Sequence, residues 1–112
     1  MPKSVLIVED DPLIAMDMED FFESRNYDIV GPAFNVVEAL ELLKEQHPDY
    51  ATLDYNLGNE TSLPIADILY NSEVPFVFVT GRVAEIKREN NLPSAPVLTK
   101  PVQYTEILAY FD

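Results

Sequence analysis

The chain predicts a doubly wound α/β domain, one parallel sheet with helices on both faces, from three observations. Short apolar runs alternate with segments of helical periodicity five times along the chain. The runs are mostly continuous rather than alternating, as suits strands buried on both faces. Four of them halt abruptly at polar residues: Val5–Val8 at Glu9-Asp10-Asp11, Tyr50–Leu53 at Asp54, Phe76–Val79 at Thr80-Gly81, and Pro96–Thr99 at Lys100-Pro101. Strands separated by helices need right-handed crossovers, so they run parallel. Five such strands are expected in the order 2-1-3-4-5, with a ligand site beyond their carboxyl ends where the order reverses.

Each element has its own signal. Val5–Val8 is the first strand, and Asp11-Pro12 reads as an N-cap followed by Pro at the first helical position. Ile14, Met18, Phe21 and Phe22 follow at helical spacing and form one apolar face. The helix fades at Ser24-Arg25-Asn26. Tyr27–Pro32 is a short strand whose Asp28 and Pro32 suit a sheet edge. Asn35 and Glu38 have capping-box spacing, and the helix they open uses Val36, Leu40 and Leu43, with Val37 and Ala39 beside them. It ends before His47-Pro48. Tyr50–Asp54 is the third strand and Asn56–Thr61 a loop. Ser62-Leu63-Pro64 starts a helix whose apolar positions are Ile65, Ala66, Ile68 and Leu69. Val74–Val79 is the most hydrophobic strand and belongs in the centre. Val83–Asn90 is a poor helix with only Val83, Ala84 and Ile86 apolar. Leu98 centres the last strand, and Val102, Ile107, Leu108, Tyr110 and Phe111 belong to a short final helix. The aromatics Phe21, Phe22, Phe76, Phe78 and Tyr110, and Met16 and Met18, are read as core; His47 is read as solvated or as touching a helix end.

Composition narrows the function. At 112 residues with 47% hydrophobic content the chain is one folded domain, expected to span 1–112. Its net charge is −13, and its seven Lys and Arg are scattered. A phosphate backbone needs clustered cations, so nucleic-acid binding is not expected. No Cys is present, which excludes disulfides, thiolate metal sites and Cys nucleophiles. No apolar run is long enough to span a membrane. The strand-like run after Met1-Pro2-Lys3-Ser4 is too short for a signal peptide, so the expected compartment is the cytoplasm.

Together the strand ends set out a pocket: Glu9 and Asp10 from the first strand, Asp54 from the third, Thr80 from the fourth and Lys100 from the fifth. Each residue alone has a plainer reading. Asp54 could cap its own loop, Glu9 and Asp10 could favour a helix N-terminus, Thr80-Gly81 could be a turn and Lys100 a surface amine. All of them at strand ends in one chain favour a site. Two carboxylates about 4 Å apart repel by roughly 4 kcal/mol at an effective dielectric near 20, so a cluster of acids needs a cation. Oxygen ligands suit Mg²⁺ or Mn²⁺ rather than zinc. A metal there could clamp a phosphoryl group, and a shielded Asp can be its nucleophile.

These residues resemble the receiver domain of two-component response regulators along essentially the whole chain. Val8-Glu9-Asp10-Asp11 is similar to the acidic motif after the first strand, and Leu53-Asp54-Tyr55-Asn56-Leu57 to the phosphoacceptor motif. Thr80-Gly81 and Lys100-Pro101 are similar to the remaining signature positions. The resemblance implies a flavodoxin-like (βα)5 fold and phosphorylation of Asp54 by a sensor histidine kinase or histidine phosphotransfer protein. It implies Mg²⁺ held by Asp10, Asp54 and the Asn56 backbone carbonyl, with Glu9 acting through water. It also implies that Thr80 and Lys100 contact the phosphoryl oxygens and that Lys100-Pro101 is cis. Ser62–Asp67 and Pro75–Gly81 look like a stand-alone subfamily of α-proteobacteria with the pattern Pro-Phe-x-x-x-Thr-Gly-Tyr and a reduced fourth helix. Arg82 stands where that subfamily has Tyr, and Val102 where Phe is common. Val97 stands where many receivers carry a switching aromatic.

The expectation is a single receiver domain without an output domain. It would catalyse its own phosphorylation and dephosphorylation, with no separate substrate turnover. It would signal through an unknown protein partner, by phosphorelay or as a phosphate sink. The alternative is a pseudo-receiver that works as a phosphorylation-independent interaction module. A metal-dependent phosphohydrolase is a third reading; such enzymes usually carry a second Asp where this chain has Asn56.

Overall fold

Strands and helices alternate as the pattern predicts in the computed structural model, which describes residues 2–89 and 92–111. In chain order they are β1 (Ser4–Val8), α1 (Pro12–Ser24), β2 (Asp28–Ala33), α2 (Val36–Glu45), β3 (Tyr50–Asp54), β4 (Asn56–Leu57) and β5 (Glu60–Thr61). There follow α3 (Leu63–Asn71), β6 (Phe76–Thr80), α4 (Val83–Lys87), β7 (Val97–Thr99) and α5 (Tyr104–Leu108). The main sheet runs β2-β1-β3-β6-β7 with every pair parallel. This is the predicted 2-1-3-4-5 order of the five main-sheet strands. β4 and β5 form a separate antiparallel pair, so the stretch expected to be a loop is a tight hairpin.

Side chains alternate along each strand, and both faces are covered. Leu6, Val8, Leu53, Phe76 and Phe78 face α2 and α3, where they meet Val36, Ala39, Ile65 and Leu69. Val5, Ile7, Val77 and Val79 face α1 and α5, where they meet Met18, Phe22, Ile107 and Phe111. Phe111 is held between Phe22 and Tyr50, with its ring stacked on Tyr50 at a centroid distance of 4.6 Å. Burying a side chain of that size is worth about 1.5–3 kcal/mol. It fastens the short α5 although the helix itself supplies only one buried residue, Ile107.

Both predicted caps form. Asp11 Oδ1 accepts the Leu13 and Ile14 amides at 2.9 and 3.4 Å. Asn35 Oδ1 accepts the Glu38 amide at 2.9 Å, while Glu38 reaches back one residue past the cap, to the Phe34 amide at 2.8 Å. α4 is shorter than the expected Val83–Asn90, and its expected end at Asn90 lies outside the described residues. Ile68, Val37, Met16 and Tyr110, expected to pack, are exposed. Periodicity placed these residues near the apolar stripes, but each falls on a stripe's solvent margin. His47 is exposed, as expected for a solvated residue.

The edge strand holds the one irregularity in β1–β2 pairing. Leu6 pairs with Val30, but Val8 pairs with Ala33, so β2 carries an extra residue at Gly31-Pro32. Gly31 has φ +97°, and a Cβ there would lie 2.8 Å from the Ala33 nitrogen. Only glycine fits such a conformation cheaply. The bulge leaves the Ala33 carbonyl accepting the Glu9 amide at 3.0 Å, so it fixes the backbone from which the acidic cluster projects. The Gly31-Pro32 peptide is cis, as is Lys100-Pro101; the second was expected and the first was not. Gly31→Ala is expected to lower unfolding free energy by about 1–3 kcal/mol, read as a lower urea midpoint. An unchanged midpoint would show that the turn tolerates a side chain.

Candidate functional site

Parallel register decides what meets at the carboxyl edge of the sheet. Val8 pairs with Leu53, which brings Glu9 level with Asp54. Asp54 pairs with Val79, and Thr80 with Thr99, so Thr80 and Lys100 complete the row. The Lys100 amide donates to the Thr80 carbonyl at 2.9 Å, one rung beyond β7. Four residues from four strands are thereby fixed by backbone pairing before any side chain chooses a rotamer.

Lys100 ties the row together. Its Nζ donates to Glu9 Oε1 at 3.0 Å and to Asp54 Oδ2 at 3.1 Å. Glu9 is buried, with its other oxygen accepting the Asp11 amide at 3.1 Å. Asp10 is exposed; its Oδ2 accepts the Gly58 amide at 3.2 Å. Gly58 turns the β4–β5 hairpin at φ +66°, which is how the hairpin reaches Asp10. Carboxylate oxygens of Glu9, Asp10 and Asp54 all lie within 4.8 Å of one another. Above them is a cavity of about 310 Å³ lined by Asp10, Asp54, Asn56, Gly58, Gly81, Arg82 and Lys100.

The electrostatics follow from two buried acids sharing one amine. Burial, then the hydrogen bond and charge of Glu9, push the Asp54 carboxyl up to about 7, against the opposing pull of Lys100. Burial works to lower the Lys100 ammonium, but its hydrogen bonds and charge contacts with Glu9 and Asp54 outweigh that and raise it. The pair is therefore a firmly charged lysine beside an aspartate poised near neutrality.

The predicted residues Glu9, Asp10, Asp54 and Lys100 converge, and Asn56 lines the cavity. Thr80 is fully buried, and its Oγ1 accepts the Arg82 amide at 3.0 Å. Its hydroxyl thus stabilises the turn after β6. Two backbone donors escaped the sequence reading, Asp11 to Glu9 and Gly58 to Asp10. The Asn-Leu-Gly stretch marks a turn, but a main-chain donor has no residue signature that says where it points.

A family model for the response regulator receiver domain matches residues 5–112. The chain belongs to this family. Among curated relatives, the phyllosphere-induced regulator PhyR of Methylorubrum extorquens is 30% identical over 97% of this chain and 42% of its own length. This receiver spans only about half, or less, of the first curated relatives it matches. The solution structure of SdrG from Sphingomonas melonis is 38% identical with TM-score 0.80, covering 98% of this chain and 96% of that one. A response regulator from Burkholderia pseudomallei, solved with a phosphorylated aspartic acid and a calcium ion, is 26% identical with TM-score 0.81, covering 98% of this chain and 66% of that one. Receiver domains are signalling modules, not enzymes that turn over a free substrate; they typically bind Mg²⁺ at an acidic pocket and interact with kinases or other proteins. Among the described residues no helix is long and apolar enough to cross a membrane.

Charge balance in the pocket has a measurable consequence. A carboxyl raised from 3.8 to about 7 in the folded state binds its proton more tightly folded than unfolded. Its contribution to stability is full below pH 4 and is lost as pH rises towards 7. Asp54→Asn removes that loss and leaves Lys100 paired with Glu9. In chelator, the substitution is expected to stabilise the protein at pH 8, with the gain shrinking towards pH 4. Urea unfolding across that range checks it, and a gain independent of pH would contradict the assignment.

Proposed function

We propose that this receiver accepts a phosphoryl group on Asp54 from the phosphohistidine of a sensor histidine kinase or histidine phosphotransfer protein. The observation that carries the reading is Asp54 lining a polar cavity with the Lys100 ammonium 3.1 Å away and two further carboxylates within reach. An Asp54 oxygen attacks phosphorus, the new P–O bond forms as the P–N bond breaks, and the bonding pair leaves with the imidazole. Water later attacks the same phosphorus, releasing phosphate and restoring the carboxylate. Both steps would be assisted by the protein's own residues, Lys100 and Thr80 meeting the phosphoryl oxygens. The aspartate phosphorylated in the Burkholderia relative supports the chemistry by likeness of fold.

The donor set fits a hard divalent cation, since every side chain offered is a carboxylate. Asp10, Asp54 and the Asn56 carbonyl would hold it. Glu9 has one oxygen on Lys100 and the other on the Asp11 amide, which suits a role through an intervening water. Mg²⁺ or Mn²⁺, when bound, supplies charge neutralisation at the phosphoryl oxygens. The chain would then signal by protein contact, by relay to a further phosphotransfer protein or as a phosphate sink. The proposed compartment is the cytoplasm, where such donors draw on ATP.

Incubation with acetyl phosphate and Mg²⁺ is expected to label the protein with one base-labile phosphoryl group, and Asp54→Asn to abolish the label. Absence of label, with the fold intact, would instead support a phosphorylation-independent interaction module. Mg²⁺ at a hundred times its dissociation constant is expected to stabilise the fold by about 2.7 kcal/mol. Thermal melts with and without Mg²⁺ test this, and Asp10→Ala should remove most of the shift.

A further inference from the structure

Arg82 is the second cation lining the cavity, and unlike Lys100 it makes no ion pair with the acidic cluster. Its Nη1 sits 3.2 Å from Glu85 Oε1, a pair spanning the first turn of α4 in which the Arg82 side chain is largely exposed and the Glu85 side chain nearly half exposed. Exposed pairs of this kind are weak and exchange easily, whereas an Arg fork on phosphate oxygens is strong and directional. α4 itself is lightly held. It has five residues, no side-chain cap at its start, and Ile86 as its one buried residue.

We propose that Arg82 is the residue that senses the phosphoryl group, leaving Glu85 for the phosphoryl oxygens on Asp54 and so releasing the first turn of α4. The inference rests on the reading of Asp54 as phosphoacceptor. Phosphorylation replaces a carboxylate by a group of greater negative charge, and Lys100 is already shared between Glu9 and Asp54. Arg82 then gains a differential contact, which is what a two-state shift requires.

One further observation points the same way. Val97 occupies β7 with an aliphatic side chain packed towards the cluster that includes Val83 and Ile86, so a rotating aromatic is not available at that position. The signal passes from phosphate to Arg82 to Glu85 and appears as movement of α4.

The test compares the intact chain with Arg82→Gln and Glu85→Gln under acetyl phosphate and Mg²⁺, following phosphoryl incorporation and amide hydrogen exchange at residues 83–87. All signals are compared at equal labelled fraction. Phosphorylation of the intact chain is expected to speed exchange in α4 at least threefold. Arg82→Gln should show no such response. Glu85→Gln should exchange fast in α4 before any phosphoryl group is added. An α4 response in Arg82→Gln equal to that of the intact chain overturns the inference, as does an unphosphorylated Glu85→Gln that exchanges like the intact chain. An intact chain that takes no label overturns the phosphoacceptor reading, and this inference with it; the label separates that failure from the others.

Discussion

Lys100 between Glu9 and Asp54 is the interaction on which the rest of the site depends. Parallel strands that end together bring their first loop residues together, whatever those residues are. Here that edge collects carboxylates from β1 and β3, two of which are buried. Removing a carboxylate from water is costly unless a partner replaces the lost solvation. The fifth strand of the main sheet supplies that partner as the residue after β7, held at the right height by the backbone bond from Lys100 to Thr80. A short, three-residue strand is sufficient because its main task is to deliver one ammonium group.

The fold was legible because its signals are redundant. Strand ends, helix caps and apolar periodicity all agreed on the order of elements, and the resemblance to receivers agreed with them. The convergence of Glu9, Asp10, Asp54 and Lys100 follows from strand order, since Asp54 ends β3, Glu9 and Lys100 stand one residue past β1 and β7, and Asp10 two past β1. What escaped is of another kind. The Gly31-Pro32 bulge and the Gly58 hairpin are conformations of the main chain, visible in the sequence only as glycines without a stated purpose. Ile68, Val37, Met16 and Tyr110 were misassigned because periodicity gives the direction of an apolar face and not its width. The margin of that face depends on how closely the neighbouring element packs, which is a tertiary property.

The two sides of the sheet are built with unequal firmness. On one side α1 is a full-length helix with a side-chain cap, Phe22 fully buried, and an aromatic cluster reaching to Phe111. The other side begins with well-covered α2 and α3 but ends in α4, attached through Ile86 and partly buried Val83. Local stability follows buried contacts, so α4, the segment next to the cavity, opens at lower cost than the well-covered α2 and α3. Rigid elements position the acids, and a lightly held element adjoins them.

Asp11 belongs to both systems at once. Its carboxylate caps the first turn of α1, while its own amide holds the second oxygen of Glu9. One residue therefore serves as a hinge pin between a helix and a charge cluster. Helix α1 cannot tilt at its start without moving the donor that orients Glu9, and Glu9 cannot swing away without giving up that donor. The acidic pocket and the first turn of α1 form a single mechanical unit, although only one of them resembles a functional site.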